Sequence, residues 1–172
     1  MNMRYIYFLI MVMCSLTGCI SDNEPEGPSL KVGDSLPDFT VFMNDGTIVS
    51  TESLRGKIPV IVFFNTNCKD CQEELPVIQQ LWSYYQEYSC VDIILIAREE
   101  NEEEIEEYWR KNNFTMPYSP QDNREVYSLF APSIIPRIYI ADINGMIVEA
   151  YGDNDMPDLA TLLSVINSMS KI

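Results

Sequence analysis

The sequence contains no histidine. That absence removes every mechanism that needs an imidazole: Ser-His-Asp triads, Cys-His proteases, and His-ligated zinc or haem. Positive charge is scarce as well, with 11 Lys and Arg against 26 Asp and Glu. The net charge of -15 would repel a phosphate backbone, which excludes nucleic acid as a partner. Repeats, low-complexity blocks and a second linker are all missing. What is present is a chain of 172 residues, 47% apolar, long enough to bury a full core as one domain and too apolar to be disordered as its main state. Chemistry is left to thiols, carboxylates, hydroxyls and backbone, and there are five cysteines to place.

The N-terminus reads as a targeting segment. Met1-Asn2-Met3-Arg4 carries one positive charge, and Tyr5 to Leu16 holds none. This stretch is too short for a membrane-crossing helix, which needs about 20 apolar residues. It ends in Leu16-Thr17-Gly18-Cys19, a lipobox-like pattern that predicts cleavage ahead of Cys19 after acylation of its thiol. An ordinary cleaved signal with an accidental cysteine is the other reading. Residues 1–18 are thus expected to be a lipoprotein signal peptide, 19–29 a polar tether rich in Pro and Gly, and 30–172 the folded domain. Export implies an oxidising compartment, where an unmanaged thiol pair tends to become a disulfide.

Along the domain, Asn44-Asp45-Gly46 predicts a hairpin turn between Val32–Met43 and Thr47–Val49. Pro59–Phe64 is a continuous β-branched and aromatic run suited to a strand buried on both faces, and Val91–Ala97 reads as a second buried strand. Asp70–Tyr88 predicts a helix with Leu75, Ile78, Leu81, Trp82 and Tyr85 on one face, and the spacing of Trp82, Tyr85 and Tyr88 is expected to serve core packing. An acidic helix over Glu102–Lys111 follows, then a helical patch over Asn123–Phe130. Strands at Arg137–Ala141 and Ile147–Tyr151 flank an Asn-Gly turn, and a last helix spans Pro157–Ser168. The order predicts an α/β sandwich around a mixed sheet. The acidic run Glu99–Glu107 reads as a solvated helix face, and Cys90 as a small core residue.

The chemistry sits in Cys68-Lys69-Asp70-Cys71, directly after a buried strand and at the first turn of the predicted helix. Zinc needs four ligands, and with no His and only Cys90 left as another mature thiol, the second pair is missing, so no metal is expected. At a helix N-terminus, unpaired backbone N–H groups and the macrodipole favour a thiolate, making Cys68 the candidate nucleophile. Cys71, one turn later and more buried, would resolve the mixed disulfide.

Val32-Gly33-Asp34-Ser35-Leu36-Pro37-Asp38-Phe39, Leu54-Arg55-Gly56-Lys57, the run from Val62 to Cys71, Glu74-Leu75-Pro76 and Ile135–Ile140 with Asp142–Gly145 resemble the thioredoxin-like thiol–disulfide oxidoreductases of the TlpA/ResA and AhpC/TSA group. The resemblance covers nearly all of residues 30–172. It implies a three-layer α/β/α sandwich with a central mixed sheet and no cofactor. By the same resemblance Cys68 attacks, Cys71 resolves, and Glu74 helps to move the proton of the buried thiol. Pro136 would be a cis-proline beside the site, Ile135 would offer its backbone to an extended substrate, and Pro76 would kink the helix. Asn67, Lys69 and Asp70 depart from the family pattern of a Trp before the motif and a proline-containing dipeptide within it. With Ile135 and Pro136 they are the candidate substrate-binding residues.

The implied function is a lipid-anchored oxidoreductase in a bacterial cell envelope, facing the periplasm or the surface, that reduces or exchanges disulfides in exported proteins. Its electrons would come from a membrane donor. Two other readings stay open: a polypeptide-binding module whose disulfide is structural, and a peroxiredoxin-like peroxidase. The peroxidase needs a threonine three residues before its cysteine, where Asn65 stands and Thr66 is one place off. Asp70, Glu73 and Glu74 cancel part of the helix field at Cys68, which favours a reductant, nearer the ~-270 mV of thioredoxin than the ~-120 mV of the most oxidising relatives.

Overall fold

The computed structural model describes residues 29–152 and 154–170. The signal segment, Cys14, Cys19 and nearly all of the tether lie outside the described residues. β1 (Thr40–Phe42) and β2 (Ile48–Ser50) form a separate antiparallel hairpin. The main sheet contains β3 (Ile58–Phe64), β4 (Val91–Ala97), β5 (Tyr118–Ser119), β6 (Arg137–Ala141) and β7 (Ile147–Tyr151), in the order β5-β4-β3-β6-β7. β3 runs parallel to β4 and antiparallel to β6, so the sheet is mixed. The helices are α1 (Lys69–Tyr85), α2 (Glu102–Asn112), α3 (Glu125–Ser128) and α4 (Leu159–Met169).

β3 is central because all seven of its residues are buried, which only a strand covered on both faces allows. Successive side chains point to opposite faces. Phe63 packs on Tyr127, Phe130 and Tyr139, while Phe64 packs on Trp109 of α2. Each such buried Val, Ile or Phe contributes about 1.5–3 kcal/mol. α1 and α4 are joined by a hydrogen bond in which the Tyr85 hydroxyl donates to Asn167 Oδ1 at 2.8 Å. The whole is the α/β/α arrangement that the alternation of buried strands and amphipathic helices implies.

Three expectations change. α1 ends at Tyr85 rather than Tyr88: the Gln86 N–H closes the last turn on Trp82 O, and the chain then turns toward β4. Tyr88 therefore leaves the core face; it is 38% exposed and stacks on Tyr84 with rings 6.1 Å apart. Trp82 is only half-buried. The helical patch at 123–130 contracts to the four residues of α3: its N-cap is Arg124, with no side-chain capping bond, and just ahead of it Asn123 turns the chain, its Oδ1 accepting from Glu125 N. The acidic run is not uniformly solvated: Glu100 is 1% exposed, since it precedes α2 and continues the β4 edge as a bridge to Gln121. The two-residue strand β5, invisible as a hydrophobic run, is held by Asn44 Oδ1, which accepts from Tyr118 N.

Candidate active site

Register assembles the site. Phe63 pairs with Arg137 in the antiparallel β3–β6 ladder, so the loop leaving β3 lies beside the residues that enter β6. On the other side, Phe64 pairs with Ala97, which sets the same loop beside residues 98–100. The loop is closely bonded: Asn65 Oδ1 accepts from Asn67 N at 2.8 Å, and Asn65 O accepts from Cys68 N at 3.1 Å. Asn65 Nδ2 donates to Arg98 O at 3.0 Å.

Cys68 occupies the N-cap of α1 in extended conformation, φ -85 and ψ 122, and its thiol makes no capping bond. Instead it donates to Ile135 O at 3.6 Å. It is half-buried, whereas Cys71, one turn on, is wholly buried. Burial pushes the Cys71 thiol strongly up, the hydrogen bond with Cys68 adds to this, and Asn65 and Arg98 only partly oppose it. The pair is thus chemically asymmetric: one sulfur can meet a partner, and the other retains its proton until something takes it.

Glu74 lies three residues past Cys71, a spacing that puts both on the same helix face. It is 6% exposed, its Oε1 has no hydrogen-bond partner among the described residues, and burial pushes its carboxyl up to about 7. Asp70 and Glu73 are exposed, with Glu73 in an exposed pair with Lys69 at 3.6 Å. The three carboxylates at the helix start are therefore not equivalent, because water screens the two exposed ones. Asn67 and Lys69 are also exposed and flank Cys68. An open groove of about 300 Å³ runs from Asn67 and Gln72 to Glu104, Glu107 and Lys111.

The peptide bond between Ile135 and Pro136 is cis. Both residues are buried, while Ile134 before them is 42% exposed at φ 71, a costly backbone for a β-branched residue. Tyr127 steadies it by donating its hydroxyl to Ile134 O at 2.5 Å. Arg98 and Arg124 stack on the Tyr127 ring, their Cζ atoms 5.3 and 5.7 Å from its centroid. Sequence reasoning missed Thr66, Gln72, Arg98, Glu100 and Tyr127. For Arg98 and Glu100 the signal is the strand register that brings residues 98–100 to the loop at 65–67.

A family model described as the AhpC/TSA family matches residues 32–152. The chain belongs to the AhpC/TSA family. Among AhpC/TSA relatives, the thiol-disulfide oxidoreductase ResA of Oceanobacillus iheyensis is 28% identical over 154 residues, covering 85% of this chain and 80% of that protein. A solution structure described as a candidate protein disulfide isomerase from Bacteroides thetaiotaomicron matches with TM-score 0.78 and 28% identity, over 85% of this chain and 94% of the other. A thiol:disulfide interchange protein of the thioredoxin family from Chlorobium tepidum shares the fold at TM-score 0.67 and 20% identity, over 83% and 98% of the two chains. Within the AhpC/TSA family this chain is a thioredoxin-like oxidoreductase of the ResA type.

The exposure difference between the two sulfurs has a direct chemical readout. Brief iodoacetamide treatment of the reduced protein at neutral pH should label Cys68 and spare Cys71, read by peptide mass spectrometry. Label appearing first on Cys71 would reverse their order.

Proposed function

We propose that this protein cycles a Cys68–Cys71 dithiol and disulfide to reduce or exchange disulfides in exported polypeptides. One observation carries the reading: a half-exposed Cys68 at the N-cap of α1, 3.6 Å from the Ile135 carbonyl, above a wholly buried Cys71. The Cys68 thiolate attacks a substrate disulfide, forming one S–S bond, breaking another and releasing a substrate thiolate. Cys71 then loses its proton to Glu74 and attacks Cys68, which frees the second substrate sulfur. Two electrons have passed to the substrate, and the protein holds the disulfide. A membrane donor of two electrons resets it. Ile135 and Pro136 border the substrate path with Asn67, Lys69 and Asp70.

The peroxidase reading has less support. The hydroxyl of Thr66 is committed to Glu100, and the Asn65 amide to Arg98 O, so neither is turned to a peroxide at Cys68. Catalysed reduction of insulin by dithiothreitol, with no turnover of hydrogen peroxide, tests the assignment. A protein that leaves the insulin rate unchanged is the binding module instead.

We further propose that residues 1–18 are removed and that Cys19 carries lipid, tethering the domain of residues 30–172 to a membrane of a bacterial cell envelope, on its periplasmic side or at the surface. One myristoyl-sized chain binds membranes only marginally, so stable anchoring requires more than one acyl chain. Mass spectrometry of the mature N-terminus should find a multiply acylated Cys19. An unmodified Cys19, or a start elsewhere, removes the anchor.

A further inference from the structure

Glu100 is the buried carboxylate that the redox cycle above leaves without a role. It is 1% exposed, and among the described residues no lysine or arginine lies within ion-pair distance of it. Its two oxygens are divided between two donors of one residue: Thr66 N–H donates to Oε2 at 2.8 Å, and the Thr66 hydroxyl bonds Oε1. From the opposite side Gln72 Nε2 donates to Thr66 O at 2.6 Å, while Gln72 N donates to Cys68 O at 3.0 Å. The Thr66 peptide, two residues before Cys68, is thus gripped between Glu100 and the first turns of α1. Glu100 is itself fixed by backbone bonds with Gln121 in both directions, 2.8 and 3.1 Å.

We infer that Glu100 is a positioning residue of the redox site, clamping the Thr66 peptide and setting through its buried charge how readily the Cys68–Cys71 pair gives up electrons. This rests on the proposed Cys68–Cys71 cycle. A negative charge in a poorly hydrated place beside a helix N-terminus cancels part of the field that would hold a thiolate at Cys68. The reduced form is then less stabilised, which makes the pair a better reductant. Other charges face the same region: Glu104 on α2, Lys69, Asp70 and Glu73 on α1, and Arg98 and Glu99 on its own segment. Asp70, Lys69, Glu73 and Glu104 stand in solvent and Arg98 and Glu99 are partly exposed. The other buried carboxyl of the site, Glu74, is pushed up to about 7 by burial, whereas burial raises Glu100 and its two bonds from Thr66 pull it back toward the ionised form.

Glu100→Gln separates charge from clamp. A glutamine can accept from Thr66 N–H and donate to the Thr66 hydroxyl, so the grip persists and the charge goes. Against a glutathione buffer the variant should be about tenfold easier to reduce, equivalent to ~30 mV, and its Cys68 should alkylate faster at neutral pH. Asp70→Asn, changing an exposed charge, should shift the equilibrium less. A merely structural Glu100 would move thermal stability and leave the potential in place. A folded Glu100→Gln protein with the wild-type equilibrium overturns the inference. If the variant does not fold, the native protein still decides, because coupling is reciprocal. The carboxyl carbon of Glu100, followed by NMR, should titrate differently in the reduced and oxidised protein, and coincident curves overturn the inference. A wild-type protein without any dithiol–disulfide couple removes the functional reading and this inference together; a normal couple that Glu100→Gln leaves unmoved removes only this one.

Discussion

Cys71→Ala should turn the protein into a trap that holds its substrates as mixed disulfides, while Cys68→Ser should neither trap nor turn over. Both variants should reduce insulin no faster than dithiothreitol alone. The difference follows from burial. Cys68 is half-buried and can reach a partner's sulfur, whereas Cys71 is wholly buried and holds its proton tightly. Without Cys71 the first exchange proceeds, and nothing attacks the mixed bond from within. Trimming one sulfur from a tight core costs about 1 kcal/mol, too little to unfold a domain of this size. Non-reducing gels of variant protein mixed with envelope extract, followed by mass spectrometry of the shifted bands, make the measurement. Insulin reduction by Cys68→Ser above background, or trapping by it, would remove Cys68 as the nucleophile.

The strands and the redox motif were legible because their signals are local. Val91–Ala97 is apolar but for Asp92, and Arg137–Ala141 but for its first residue, and the observed strands have those same bounds. The motif between a buried strand and a helix is likewise read from consecutive residues. What escaped depends on register. Glu100 looks in sequence like one more solvated acid of Glu99–Glu107, yet the pairing of Phe64 with Ala97 carries it against Thr66. Tyr127 and Arg98 come together by the same geometry, one from a four-residue helix and one from a strand end. β5 is a strand through its partners rather than its composition, since two residues carry no period. The helix-end carboxylates illustrate the same limit. Asp70, Glu73 and Glu74 are neighbours in sequence, but only Glu74 turns inward, and its environment rather than its position decides its chemistry.

For Glu74 that environment makes a prediction with a definite sign. Its carboxyl is pushed up to about 7 by burial, against an ordinary 4.5. Between these two values the folded protein keeps a proton that the unfolded chain has released, so stability falls as pH rises through the window. The loss is complete above about 7 and amounts to about 3 kcal/mol at ~1.4 kcal/mol for each pH unit of difference. In Glu74→Gln that dependence disappears. A buried glutamine carries its own unmet hydrogen bonds, but their cost is the same at every pH. The testable quantity is therefore the change, from pH 4 to pH 8, in the stability difference between variant and wild type. Urea unfolding of the two reduced proteins should show the variant gaining about 3 kcal/mol on wild type over that range. The same substitution removes the group that the proposed cycle assigns to take the Cys71 proton. Resolution of the mixed disulfide should slow by about a hundredfold, and the limb of the pH–rate profile near 7 should vanish. Stability curves that stay parallel from pH 4 to pH 8 would show that the Glu74 carboxyl titrates alike in the folded and the unfolded chain. An unchanged pH–rate profile would leave it a buried carboxyl with no part in proton transfer.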